Sequence, residues 1–311
     1  MLHEDMSNLL FRIGRAIGPV SRCRGSLLVA LVAAGVVVTS GGCSNSEEGE
    51  SEPPTEGAEP AALSPEEACE RGDVYACSQV DLEACEGGDL ERCRDLGVSY
   101  FHGSNVAQDY DKARVYLETA CEGGLQSGCV DLATLHEEGL GGEQDIDRAF
   151  AMYEAACEAG EAMGCQALAI SYVEGEVEQD LTRAYELFRR SCDMGNGAGC
   201  SELAGMYNDG RGVDKDESKA VELYRESCDK EYGFSCGTLG TIYSSGGLGL
   251  DEDDEKAREL FRKACDLGDM EACAFLSVYY RHGRGGDQDE AKADRLLRLA
   301  CEGGYADACP H

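Results

Sequence analysis

The chain has 311 residues, room for one large domain or two ordinary ones, and 42% of them are hydrophobic, enough to bury a sizeable core. A formal charge of −34 repels phosphate backbones and anionic lipid heads, which excludes nucleic acid as a partner and favours cationic surfaces. Eighteen cysteines are too many for a reduced cytosol unless a metal or cofactor claims them.

The first segment is unlike the rest. "MSNLLFRIGRAIGPVSRCRG" carries Arg12, Arg15, Arg22 and Arg24, and the apolar run "SLLVALVAAGVVV" and small residues follow. That order predicts a secretory leader over residues 1–42, and the apolar run is short for a membrane span. "SGGC" resembles the lipobox of bacterial lipoproteins, in which the cysteine, Cys43 in this chain, becomes the lipidated first residue. Ser40 departs from the aliphatic residue usual there. Ser44 resembles the outer-membrane sorting pattern. A lipoprotein is the leading reading, ahead of plain secretion and of an uncleaved anchor. Losing four arginines and two acids with the leader takes the charge from −34 to −36. Residues 43–63 then run "CSNSEEGESEPPTEGAEPAAL", acidic and poor in apolar bulk, and read as a disordered tether.

From Cys69 onward the cysteines pair eight positions apart: Cys69 with Cys77, Cys85 with Cys93, Cys121 with Cys129, Cys157 with Cys165, Cys192 with Cys200, Cys228 with Cys236, Cys265 with Cys273, and Cys301 with Cys309. From Cys85 the pairs recur every 35 to 37 residues, the period of a solenoid of helical hairpins. A first helix begins near the second cysteine of each pair. Three residues after that cysteine stands a leucine, as in Leu96 and Leu132, and four after it a small residue, as in Gly97 and Ala133. Seven after it come Tyr100, His136, Tyr172, Tyr207, Tyr243 and Tyr280, which completes one helical face. A glycine ten after the cysteine, such as Gly103 or Gly139, ends the helix.

The second helix opens on an aspartate in all six units: Asp109, Asp145, Asp180, Asp216, Asp253 and Asp289. Each can accept bonds from the free N–H groups of the first turn. An alanine follows four residues later, bulk at seven and eight, and the next cysteine at twelve. All length variation therefore sits between the glycine and the aspartate, as expected of a packed hairpin that tolerates insertion in one turn.

C-x7-C, then L-A/G, Tyr, G-x-G, D-x-x-K/R-A and L-Y/F resembles the Sel-1-like repeat, a relative of the tetratricopeptide repeat. A C-x7-C pair in every unit is similar to the cysteine-rich secreted Sel-1-like proteins of bacteria. The resemblance covers residues 64–311, with six full repeats over about 89–304 and shorter caps at both ends. It implies an all-α fold, a right-handed α-solenoid or superhelix of stacked αα-hairpin repeats.

On that fold Cys121 ends one helix and Cys129 begins its antiparallel neighbour, close enough for a disulfide. Eight such staples would resist unfolding and proteolysis. Zinc is a rival, but C-x7-C is not its usual spacing, and export favours disulfides. A redox role would call for C-x-x-C and a depressed thiol pKa.

No cofactor is expected. Outside the leader the histidines are His102, His136, His282 and His311, and no H-x-H or H-E-x-x-H holds a metal. His136 occupies the tyrosine slot and reads as a packing residue. Ser227 and Lys230 form an S-x-x-K of the kind found in penicillin-recognising serine enzymes, and some cysteine-rich relatives are described as binding penicillin. Yet Ser227 falls on the small, packed position of the second helix, and neither S-D-N nor K-T-G is present. "DEDDE" at 251–255 lacks the glycine and alternating ligands of a calcium loop and reads as a solvated turn in which Asp253 caps a helix. The tyrosines could line a binding groove, but at this spacing they read mainly as packing residues.

Three functions compete. An exported interaction scaffold or adaptor of the bacterial cell envelope would bind a protein or peptide, one with a basic surface, on the concave face, and touch the membrane only through Cys43. A β-lactamase or penicillin-binding activity would act on peptidoglycan-like amides through Ser227. A protease-resistant envelope component would have no dedicated ligand.

Overall fold

The helical periodicity is realised as fourteen α-helices in a computed structural model that describes residues 63–174 and 179–309. The expected leader, Cys43 and all but the last residue of the tether lie outside the described residues. The helices are α1 (Pro65–Glu70), α2 (Val74–Glu86), α3 (Leu90–His102), α4 (Tyr110–Glu122), α5 (Gln126–Glu138), α6 (Ile146–Glu158), α7 (Ala162–Glu174), α8 (Leu181–Asp193), α9 (Gly197–Asp209), α10 (Glu217–Asp229), α11 (Gly233–Ser245), α12 (Asp254–Asp266), α13 (Met270–His282) and α14 (Glu290–Glu302). A single 3₁₀ turn, Ala306–Ala308, follows. The described residues contain no strand, only an isolated bridge between Gly247 and Leu250.

Local chemistry sets the helix ends. Each second helix (α4, α6, α8, α10, α12, α14) starts at its aspartate, whose side chain accepts from a first-turn N–H; Asp216 takes that of Lys219 at 2.9 Å. Several first helices are capped as well, α3 by Asp89, α9 by Asn196 and α13 by Asp269. First helices α3, α5, α9 and α13 end on glycines in the left-handed region, such as Gly139 at φ 68°. Second helices turn into the next unit through another glycine at positive φ, as at Gly124 and Gly160, except that Glu231 takes this place after α10 at φ 62°.

Packing follows the repeat. The leucine slot (Leu96, Leu132, Leu168, Leu203, Leu239, Leu276) and the alanine slot of the second helix are buried throughout. Each leucine removed from water contributes roughly 1.5–3 kcal/mol. The small slot is small for a reason: a Cβ on Gly97 would sit 2.7 Å from Leu117 Cγ, and one on Gly240 would sit 2.8 Å from Phe261 Cδ1. All eight C-x7-C pairs are disulfides, with Cα–Cα distances such as 4.5 Å for Cys121–Cys129 and 4.8 Å for Cys228–Cys236. From Cys121 to Cys273 each joins the end of one second helix to the start of the following first helix. Cys69–Cys77 and Cys85–Cys93 join α1 to α2 and α2 to α3, and Cys301 of α14 meets Cys309 just past the 3₁₀ turn.

Consecutive helices pack antiparallel throughout the described residues, the arrangement of an α-solenoid. Successive first helices also touch, α3 with α5, α5 with α7, α7 with α9 and α11 with α13. No comparable packing joins successive second helices among the described residues. Clefts open between them.

Candidate functional site

The aspartate that caps a second helix, the cation three residues later and the tyrosine slot form one recurring unit. Lys112 Nζ lies 4.9 Å from the Tyr100 ring centroid, Lys256 Nζ 5.2 Å from that of Tyr243, and Lys292 Nζ 5.1 Å from that of Tyr280. Arg183 stands over Tyr172 and donates to its hydroxyl at 2.8 Å. The capping carboxylate holds the cation in place, as in Lys256–Asp253 at 3.1 Å. The D-x-x-K/R motif thus places a positive charge on a ring face in repeat after repeat.

Two repeats vary this unit. His136 is 1% exposed, and Arg114 Nη2 donates to its Nδ1 at 2.8 Å. Burial, then the Arg114 charge, push the His136 pKa down. Tyr207 instead lies 2.9 Å, hydroxyl to hydroxyl, from Tyr185, and that bond together with burial pushes its pKa up to about 12. His136 is a packing residue, bonded and enclosed.

The tyrosines have a second role that sequence reasoning set aside. Between α10 and α12 lies a cleft of about 590 Å³ with Tyr243 in its lining. Between α12 and α14 lies one of about 560 Å³ with Tyr280, and between α6 and α8 one of about 490 Å³ with Tyr172. In each, two second helices form the walls and the intervening first helix supplies the ring.

The first helices carry their own exposed apolar surface. Met163 on α7, Phe234 on α11, and Phe275 and Val278 on α13 are 43%, 49%, 40% and 42% exposed. On α5, burial pushes up the pKa of the Asp131 carboxyl, although Arg94 Nε donates to it at 2.6 Å from the preceding repeat.

Ser227 and Lys230 do not come together as an acid–base pair. Ser227 is 0% exposed, and its Oγ donates to the Gly197 carbonyl at 2.6 Å. It also lies 2.7 Å from Ser235 Oγ, one hydroxyl donating to the other. Ser191 makes the equivalent bond to Ala162 O at 2.8 Å, so this hydroxyl ties a second helix to the first helix of its own hairpin. Lys230 closes α10 and its ammonium pairs with Glu226. No substrate reaches the Ser227 hydroxyl in this packing.

The acidic turn needs a correction. Asp253 accepts from Lys256 N at 3.0 Å and caps α12, but Asp254 is not simply solvated. It accepts from Arg284 Nη2 at 2.6 Å and from the Tyr279 hydroxyl at 3.1 Å, both in the following unit. Cation sites fare no better at the cysteines. Cys192, Cys200 and Glu226 bring ligand atoms within 4.8 Å of one another, but the two sulfurs are bonded together and offer no thiolate.

Stacked hairpins, a staple at every joint and solvent-open clefts define a disulfide-bonded helical solenoid built for contact with other molecules. The chain belongs to the Sel1 repeat family, whose repeat matches residues 93–125, 126–161, 162–196, 197–232, 239–269 and 271–305. Sel1 repeats are protein-interaction modules. No curated protein matches the chain. Among solved structures it is similar to c5321, a protective antigen of uropathogenic Escherichia coli with an SLR fold, at 28% identity and TM-score 0.54, over 74% of this chain and 50% of that one. It thus spans about half of that relative. A Sel1 repeat protein from Oxalobacter formigenes aligns over 76% of this chain and 98% of its own at 22% identity, TM-score 0.61. Immunity protein Pa5087 from Pseudomonas aeruginosa aligns over 70% and 82% at 16% identity, TM-score 0.54. These last two likenesses are of fold.

Proposed function

We propose that the chain is an exported scaffold of the bacterial cell envelope that binds a protein partner along its first-helix face. The observation that carries this reading is the exposed apolar side chains on three first helices, Met163, Phe234, Phe275 and Val278. Such side chains cluster where a partner covers them. Eight disulfides suit an oxidising compartment, and no helix among the described residues is long and apolar enough to cross a membrane. The leader and Cys43 would supply export and a lipid anchor. The acidic surface favours a partner with a basic face and speeds its approach.

Photo-crosslinking in the producing cell tests this. A benzophenone side chain placed at Phe234 or Phe275 is expected to trap one discrete partner, and one placed at Val115 on α4 is not. Equal, diffuse labelling at all three positions would remove the reading. Palmitate labelling lost in Cys43→Ala tests the anchor.

A further inference from the structure

The charge of the molecule is acidic, but the arginines around α12 are under-used. Arg258, stacked 4.1 Å over Tyr280, has a buried Nη1 without an acceptor, and no other buried side-chain nitrogen or oxygen among the described residues is in that state. Its counterpart in the earlier repeat is Arg114. There Nη1 donates to Gly141 O at 3.0 Å and Nη2 to His136. The two loops have matching lengths, "GLGGEQD" and "GRGGDQD", but the later one carries Gly286 at φ 151° and Tyr280 in place of His136. One repeat satisfies this guanidinium internally. The other leaves it short.

Arg262 lines the clefts on both sides of α12 and makes no ion pair or hydrogen bond among the described residues. Across the larger cleft Arg225 gives one N–H to the Tyr243 hydroxyl at 2.9 Å and holds its remaining donors free. Four cations face three acids in this cleft, whereas in the cleft between α6 and α8 three face four. Leu239, Leu260 and Leu267 give it the most apolar lining of the clefts described above. Planar guanidinium forks beside an apolar floor match a carboxylate carried next to an apolar side chain.

We infer that the cleft between α10 and α12 binds an extended acidic–apolar peptide segment of the partner, with a carboxylate on Arg225 and Arg262 and an apolar side chain over Leu239 and Leu260. Glu259 and Asp266 on the same wall repel a misplaced carboxylate and so set the register. This rests on the scaffold reading and adds to its first-helix face a second contact, on the side where the second helices part. A partner with a basic face and one such acidic segment would meet both signs of the surface.

The test is a random nonapeptide library selected on the oxidised full chain, with binding then measured on Arg262→Glu. Arg262 is exposed and unpaired, so the substitution removes no ion pair or hydrogen bond of the fold. The expected peptides carry Asp or Glu beside an apolar residue, bind the variant at least tenfold more weakly, and regain binding to it when their acid is changed to Lys. Peptides that are basic, or that bind both proteins equally, would overturn the cleft and leave the scaffold standing. If no peptide is enriched and the benzophenone probes trap nothing, both readings fall.

Discussion

Arg284 Nη2 donates to Asp254 Oδ1 across 2.6 Å and so ties the turn after α13 to the first residue of α12. The guanidinium also stands 4.6 Å from the Tyr279 ring, and Tyr279 donates to the same carboxylate. Three groups from two units close one joint of the solenoid. Both charges are about a third exposed, so solvent screens the pair. We expect Asp254→Ala to cost about 1 kcal/mol through the lost bonds, read as a lower urea midpoint. Asp251→Ala, on the same acidic run, should leave the midpoint in place.

The staples should not be equal. Every C-x7-C loop has the same length, so the chain-entropy contribution is about 2–3 kcal/mol each. Cys157 is buried between packed helices, whereas α1, which carries Cys69, buries no residue. Replacing Cys157 and Cys165 by Ala should lower global stability by that amount. Replacing Cys69 and Cys77 should change it far less and should instead increase proteolysis near residue 70.

Glu231 is the one residue after a second helix that holds positive φ without being glycine, at 62°. At the matching Gly124, Gly160 and Gly195 an added Cβ would meet nothing within 4 Å, so the cost at Glu231 lies in the backbone. A left-handed non-glycine residue costs roughly 1–2 kcal/mol, and glycine gives part of that back as chain entropy. Glu231→Gly is therefore expected to stabilise by about 0.5–1 kcal/mol in chemical denaturation. No gain would mean that the side chain compensates for its own strain.

His136 makes stability depend on pH. Burial and the Arg114 and Arg148 charges lower its pKa below 6.5, against the opposing pull of Asp145 and Glu118. The unfolded chain then takes up the proton at higher pH than the folded one. This part of the stability is complete above the unfolded pKa and is lost as pH falls through the lowered folded value. The urea midpoint of the wild-type chain should fall more between about pH 7.5 and pH 5 than that of His136→Tyr, which restores the slot's usual residue. Parallel curves would place the proton uptake elsewhere.

Much of this molecule was legible in one dimension because its rules are local. A leucine three residues after a cysteine, a tyrosine seven after it and an aspartate at the next helix start lie within one hairpin, and each cysteine pair spans only the short joint to the neighbouring one. Periodicity therefore exposes them, and with them the staples, the caps and the family. What decides the surface is not local. Asp254 reads as part of an acidic turn until Arg284, thirty residues away, folds onto it. Ser227 reads as half of a catalytic motif until Gly197 and Ser235 close around it. Arg114 and Arg258 occupy the same register, and only the tertiary structure shows one satisfied and the other not. Sequence alone determined how each hairpin forms and is locked, since those free energies come from neighbours along the chain. The stacking of one hairpin on the next decided which charges meet, which hydroxyls are enclosed and where the clefts open, because those depend on distances that no spacing in the sequence encodes.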